Sequence, residues 1–213
     1  MSELNEIIIT ISNKKTGESY DYAKSFPHSD FDNDGVGEVY KTPVYEVYIR
    51  NSKDDEKKQR KWRALRFMPY WNRQGADTRY KTEGWVNSGL RSGKKKKLVT
   101  LYKKNYELHS TYSAFNGAIR VTGNFLIHAG PMNLKDPNFG SAGCIEIIGN
   151  FNKFKQDIMI LSGSKKKDPD DAILELVRAK KLFINIEPAQ PPVFEKQREK
   201  QLNRVRNSRI DVD

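Results

Sequence analysis

Phe125-Leu-Ile-His128-Ala-Gly130, then a loop, then Gly140-Ser141-Ala142-Gly143-Cys144-Ile145-Glu146-Ile147-Ile148 is the stretch from which the rest of the chain is read. Two short apolar runs flank a glycine-rich connection, the pattern of two buried strands joined by an irregular loop. The first run closes on a histidine. The second opens directly after a cysteine that lies sixteen residues further on and is the only one in the chain. Neighbouring strands would set these two side chains close together.

Working outward, the reading stays strand-rich. Glu6–Ser12 (EIIITIS) is a β-branched apolar run and is expected as a strand. Asn13–Glu18 is turn-like and is expected to close a hairpin. Pro43–Arg50 alternates apolar and polar residues as a half-buried strand does. A charged insertion covers residues 51–61, Trp62–Pro69 again reads as a strand, and residues 73–93 read as an irregular loop. Lys97–Tyr102 and Gly117–Ile127 continue the sheet, with Gly123-Asn124 as a hairpin signal. Towards the C-terminus the period changes from two to 3.6. Asn150 is placed to cap a helix over Phe151–Leu161 with Gly163 beyond its end. Asp168-Pro169 supplies the cap and first-turn proline of a second helix over Asp170–Lys180. Leu182–Ile186 is expected as a last strand. Pro188, Pro191 and Pro192 then end a single domain over residues 1–192, leaving 193–213 as a charged tail. The fold class is α+β, β-rich, with a mixed sheet and two late helices.

Composition narrows the function. Of 213 residues, 37% are hydrophobic and 11% aromatic, enough to build a core and too many for a disordered chain. No apolar run is long enough to span a bilayer as a helix. The acidic start, Met1-Ser-Glu-Leu-Asn-Glu, does not resemble a secretory signal. A lone cysteine excludes an internal disulfide framework and multi-cysteine metal sites. The formal net charge is +11, and it is concentrated: residues 50–105 hold eighteen Lys/Arg against five Asp/Glu. Such a block suits an anionic polymer. Alternatively, Lys57-Lys58 and Lys94–Lys97 simply occupy solvated hairpin loops.

Nucleophilic catalysis by cysteine needs a neighbouring base to raise the thiolate fraction and backbone N–H donors to hold the oxyanion. His128, Cys144 and the bare backbone at Gly143 meet those needs by residue type. On composition alone, buried structural filler is the competing reading of Cys144.

These residues resemble the catalytic signature of the L,D-transpeptidase (YkuD-like) family, in which a strand ending in His-Gly precedes Ser-x-Gly-Cys by a similar spacing. The matching positions are His128, Ser141, Gly143 and Cys144. The resemblance covers about residues 119–150. It implies a mostly β catalytic domain of L,D-transpeptidase type acting on peptidoglycan stem peptides without metal or organic cofactor. Cys144 would be the acylated nucleophile and His128 its base, with the Gly143 and Cys144 amides as oxyanion hole and Ser141 shaping the loop. Three positions depart from the family pattern. Ala129 follows the histidine, with the glycine displaced to Gly130; Ala142 stands where a second histidine is common; Glu146 replaces an Arg or Asn. His109, Tyr112, Glu146 and Gly130 are the further candidates for substrate contacts. With no export signal in Met1–Ser12, the resemblance also suggests an antibacterial effector, made in the cytoplasm and carried to the wall space by a type VI-like secretion apparatus, with a cognate immunity protein. A cytosolic muropeptide-recycling carboxypeptidase is the competitor, and an inactive relative a third option.

Two other patterns point elsewhere. Asp30-Phe-Asp-Asn-Asp-Gly-Val-Gly-Glu matches the front half of an EF-hand loop, but position twelve is Lys41, so a plain turn is the favoured reading and no metal is expected. Basic–aromatic interleaving through Lys61, Trp62, Arg66, Tyr70, Trp71, Arg73 and Tyr80 could stack bases and neutralise phosphates in a non-enzymatic binding module. The favoured reading is a strand with its aromatics in the core and its arginines in water, and nucleic acid is not the expected partner.

Overall fold

The computed structural model describes residues 4–24, 39–53, 58–67, 93–106, 116–123, 125–137, 139 and 144–197. Among these lie ten strands and two helices: β1 (Ile7–Lys24), β2 (Val39–Asn51), β3 (Arg60–Leu65), β4 (Lys94–Leu98), β5 (Tyr102–Lys103), β6 (Ala118–Thr122), β7 (Phe125–Ala129), β8 (Ile145–Ile148), α1 (Phe151–Ser162), α2 (Pro169–Arg178), β9 (Leu182–Ile186) and β10 (Glu195–Lys196). They form one mixed sheet in the order β4-β9-β1-β2-β3-β8-β7-β6-β5, with β10 added to β2. The β1–β9 and β7–β8 pairs are parallel and the rest antiparallel.

The sheet curls. Only Val99, Thr100 and Leu101 separate β4 from β5, so the two ends of the strand order belong to one stretch of chain. Val99 N–H donates to Leu182 O on the β9 side (2.9 Å), and Leu101 O accepts from Arg120 N–H on the β6 side (3.0 Å). The result is a curled half-barrel around a single main core. Ile7, Ile9 and Ile11 of β1 meet Ile127, Ile145 and Ile147 there, together with Phe154 and Ile158 of α1 and Leu176 of α2. β1 lies between two strands and is apolar on both faces, which is why its isoleucines run without alternation.

Local chemistry explains the helices. The Asn150 side chain accepts from Lys153 N–H (3.1 Å), and Gly163 ends α1 at φ 69°, a conformation that glycine adopts without Cβ strain. Asp168 Oδ1 accepts from the Asp170 and Asp171 amides, and Pro169 fills the first helical position of α2. Lys155, on the inner face of α1 and 1% exposed, pairs with Asp170 in the first turn of α2. The Tyr102 hydroxyl donates to that same carboxylate (2.5 Å). One clasp therefore ties both helices to β5.

Several expectations need correction. Asn13–Glu18 is no hairpin turn: β1 runs on to Lys24, paired with β2 throughout and interrupted by register shifts, with Gly17 at φ 89°. A bulge absorbs the turn-forming residues without reversing the chain. Lys94–Lys97 is not a solvated loop either. It is strand β4, bulged between Lys94 and Lys97; the Lys96 backbone N–H donates to Asn185 Oδ1 (2.6 Å) and its ammonium pairs with Glu6 (2.9 Å). The strand expected over Trp62–Pro69 is Arg60–Leu65, two residues earlier at its start. Beyond the three prolines, Phe194 is 8% exposed in a cluster with Tyr40, Tyr45 and Phe67, and β10 pairs with Lys41 and Tyr40 of β2. The start of the charged tail is thus part of the sheet.

Candidate active site

The two strands that frame the His128–Cys144 interval lie side by side, in register Ile127↔Ile145, His128↔Glu146, Ala129↔Ile147. Parallel neighbours require a crossover, and the chain from Gly130 to Cys144 supplies it. Side chains alternate across a strand. Ile127, Ala129, Ile145 and Ile147 all enter the main core beside the helices. His128, Gly130, Cys144 and Glu146 therefore share the opposite face, where Tyr20, Val44, Leu65, Phe139 and Ile148 form a second apolar cluster. Extending the register one residue before β8 sets Cys144 beside Leu126 and diagonal to His128, with Cα atoms roughly 7–8 Å apart, within reach of an imidazole and a thiol.

His128 is 1% exposed, and its Nδ1 lies 2.8 Å from Ala129 O. A carbonyl only accepts, so in the neutral ring Nδ1 carries the hydrogen and Nε2 keeps the lone pair. That is the tautomer a general base needs. Cys144 is half-buried, at the boundary between the buried row and solvent. Glu146 is 1% exposed, directly beside His128.

Gly130 has a packing reason. A Cβ there would stand 2.8 Å from Glu146 Cβ and 2.9 Å from Ile147 O, closer than real Cβ atoms come. Its amide also donates to Ile147 O (2.9 Å), so the end of β7 is drawn tight against β8 where Glu146 sits. Ser141 and Gly143, the loop and oxyanion candidates, and His109 and Tyr112, the substrate-contact candidates, lie outside the described residues.

Tyr20 is the residue that sequence reasoning missed. It is fully buried in β1, far from the motif in sequence, and its hydroxyl clips the loop between base and nucleophile from two sides. It donates to Asp136 O (2.7 Å) and accepts from Phe139 N–H (3.2 Å). Burial pushes the hydroxyl well above the ordinary tyrosine range; the Phe139 amide opposes this and the charge of Glu146 adds to it. A turn within the loop completes the anchorage, with the Asn133 side chain bonded to Asp136 (2.8 Å). Tyr20→Phe leaves the Asp136 carbonyl and the Phe139 amide without this hydroxyl. It is expected to cost about 1–3 kcal/mol, read as a lower urea midpoint. An unchanged midpoint would show that the clip adds nothing.

The remaining candidates fare differently. Residues 30–38 of the EF-hand-like stretch lie outside the described residues, and Lys41 sits in β2 opposite Glu195. No group of three or more His, Cys, Asp or Glu among the described residues could hold a metal ion. In the basic–aromatic stretch, Trp62 packs edge-on against Phe154 and donates to Asp157 Oδ2 (2.9 Å). Arg66 does not face water as expected. It is 2% exposed, donates to Ser12 O (2.7 Å) and to Glu187 O, and stacks over Phe67; burial lowers its pKa to about 10. These two side chains hold the sheet together and are not available to bases or phosphates. Tyr70, Trp71, Arg73 and Tyr80 lie outside the described residues.

Comparison with models of protein families, with characterised proteins and with solved structures finds no match.

Proposed function

We propose that this chain is a cysteine acyl-transfer enzyme of L,D-transpeptidase type, acting on peptidoglycan stem peptides. The observation that carries the reading is the parallel β7–β8 pairing, which brings the strand carrying His128 against the strand that begins directly after Cys144, with His128 Nδ1 committed to a carbonyl. Cys144 Sγ attacks a stem-peptide carbonyl and passes its proton to His128 Nε2. Collapse of the tetrahedral adduct returns that proton to the leaving amine and leaves a thioester. An amine or water then takes the acyl group, giving transpeptidation, exchange or carboxypeptidation. Stem peptides lie outside the cytoplasmic membrane, so the wall space is the proposed place of action, and delivery as an antibacterial effector the proposed route. The dense positive charge of residues 50–105 suits the anionic wall.

The test is intact mass after incubation with a carbapenem, which acylates nucleophilic cysteines of this class, and separately with iodoacetamide. One adduct of each is expected on the wild type and none on Cys144→Ala. Iodoacetamide labelling without carbapenem acylation would leave a reactive thiol but remove the stem-peptide assignment.

A further inference from the structure

We propose that Glu146 is the counter-charge of the His128 imidazolium, a buried anion beside the cysteine–histidine pair; this rests on the acyl-transfer reading above. The two residues are direct register partners on parallel strands, share one face of the sheet, and are equally buried at 1% exposure. Two residues beyond His128, the bare Cα of Gly130 packs against Glu146, where any side chain would collide with it. Adjacent strands stand roughly 4.8 Å apart, whereas two residues along one strand span roughly 6.6 Å. By backbone spacing, Glu146 is therefore nearer to His128 than to Cys144. Its charge favours the imidazolium more than it opposes the thiolate.

Burial alone disfavours a charged imidazole, and an adjacent anion reverses that. Among the described residues, the neighbouring groups on this face carry their charge elsewhere. On β1, Tyr20 is held protonated by burial, with Tyr22 beside it. On β3, Arg63 is neutralised by Glu18 (2.7 Å). In the loop, Asp136 spends both carboxylate oxygens on Asn133. Further along the same face, β6 and β5 contribute the cations Arg120, beside Leu126, and Lys103, beside Ala118. During acylation the Sγ–H bond breaks, the proton moves to Nε2, and the sulfur pair bonds the acyl carbon. Glu146 takes no proton. It is a positioning residue.

The chain has three histidines, so the imidazole of His128 can be followed by NMR titration in the full-length protein. Cys144→Ala serves as parent, to remove coupling to the thiol. Glu146→Gln in that parent is expected to lower the His128 pKa by about one unit or more, and Glu146→Asp to fall between the two. A purely structural role for Glu146 would not move the titration of a folded protein. If Glu146→Gln titrates with the parent, the proposal is overturned. Should Glu146→Gln not fold, the parent alone decides. A His128 pKa above about 6.5 requires a neighbouring anion, and one below it shows burial unopposed. The underlying reading fails by a separate signal, namely alkylation of Cys144 at neutral pH that does not depend on His128.

Discussion

His128→Ala is expected to slow alkylation of Cys144 by iodoacetamide at pH 7 by tenfold or more, with wild type and variant converging near pH 10. Only the thiolate attacks, and an unassisted thiol with a pKa of about 8.5 is roughly 3% ionised at pH 7. The Nε2 lone pair of His128 takes the thiol proton, so the reactive thiolate is reached far more readily at pH 7 than in an unassisted thiol. Removing the ring returns Cys144 to the unassisted value. Above both pKa values the two proteins carry the same thiolate, which is why the alkaline rates serve as an internal control. The lone cysteine makes the measurement clean, since every adduct reports on Cys144. Turnover should fall further than alkylation, because the base must also return its proton to the leaving amine; general acid–base groups contribute typically 10²–10⁴-fold. If the variant alkylates as fast as the wild type at pH 7, His128 is not the base. The buried filler reading of the cysteine then returns.

The elements with local signatures were legible from residue types. Both helices carry their own start signals in Asn150 and Asp168-Pro169, and the structure uses those residues as caps. The flanks of the motif were legible too, because FLIHA and IEII can do little but form strands. What the sequence could not express is registration between distant segments. Nothing near Asn13–Glu18 announces that β2 waits to pair with it, so turn-forming residues read as a turn; a partner strand turns them into bulges. Four consecutive lysines read as a solvated loop until β9 supplies backbone partners, and then the Lys96 side chain reaches across the Phe183 ring. The site shows the same limit. Cys144 and His128 stand out by type, whereas the adjacency of Glu146 to His128 depends on strand order. The grip of Tyr20 on Asp136 depends on contact between β1 and a loop 116 residues away.

The largest stability effect is expected at the clasp on the helix side of the sheet. Asp170→Ala strands the Lys155 ammonium, which α1 holds among apolar side chains with its head over the Phe151 ring (5.8 Å). Breaking a buried pair from one side costs about 3–5 kcal/mol, and here the Tyr102 hydroxyl loses its acceptor as well. Lys155→Met removes the charge and keeps the volume. It leaves Asp170 partly exposed and still bonded to Tyr102, so it should lie within about 1 kcal/mol of the wild type. The double variant Asp170→Ala/Lys155→Met should recover most of what Asp170→Ala loses, because no orphaned charge remains. Urea midpoints at constant slope read all three. A midpoint for Asp170→Ala close to the wild type would mean that the ammonium finds water, and the clasp would then hold nothing. The clasp packs the face opposite Cys144, so Asp170→Ala kept well below its unfolding midpoint should still alkylate at the wild-type rate. His128→Ala should do the reverse, losing the thiolate while keeping the midpoint. This pair of opposite responses separates the chemistry of one face from the cohesion of the other.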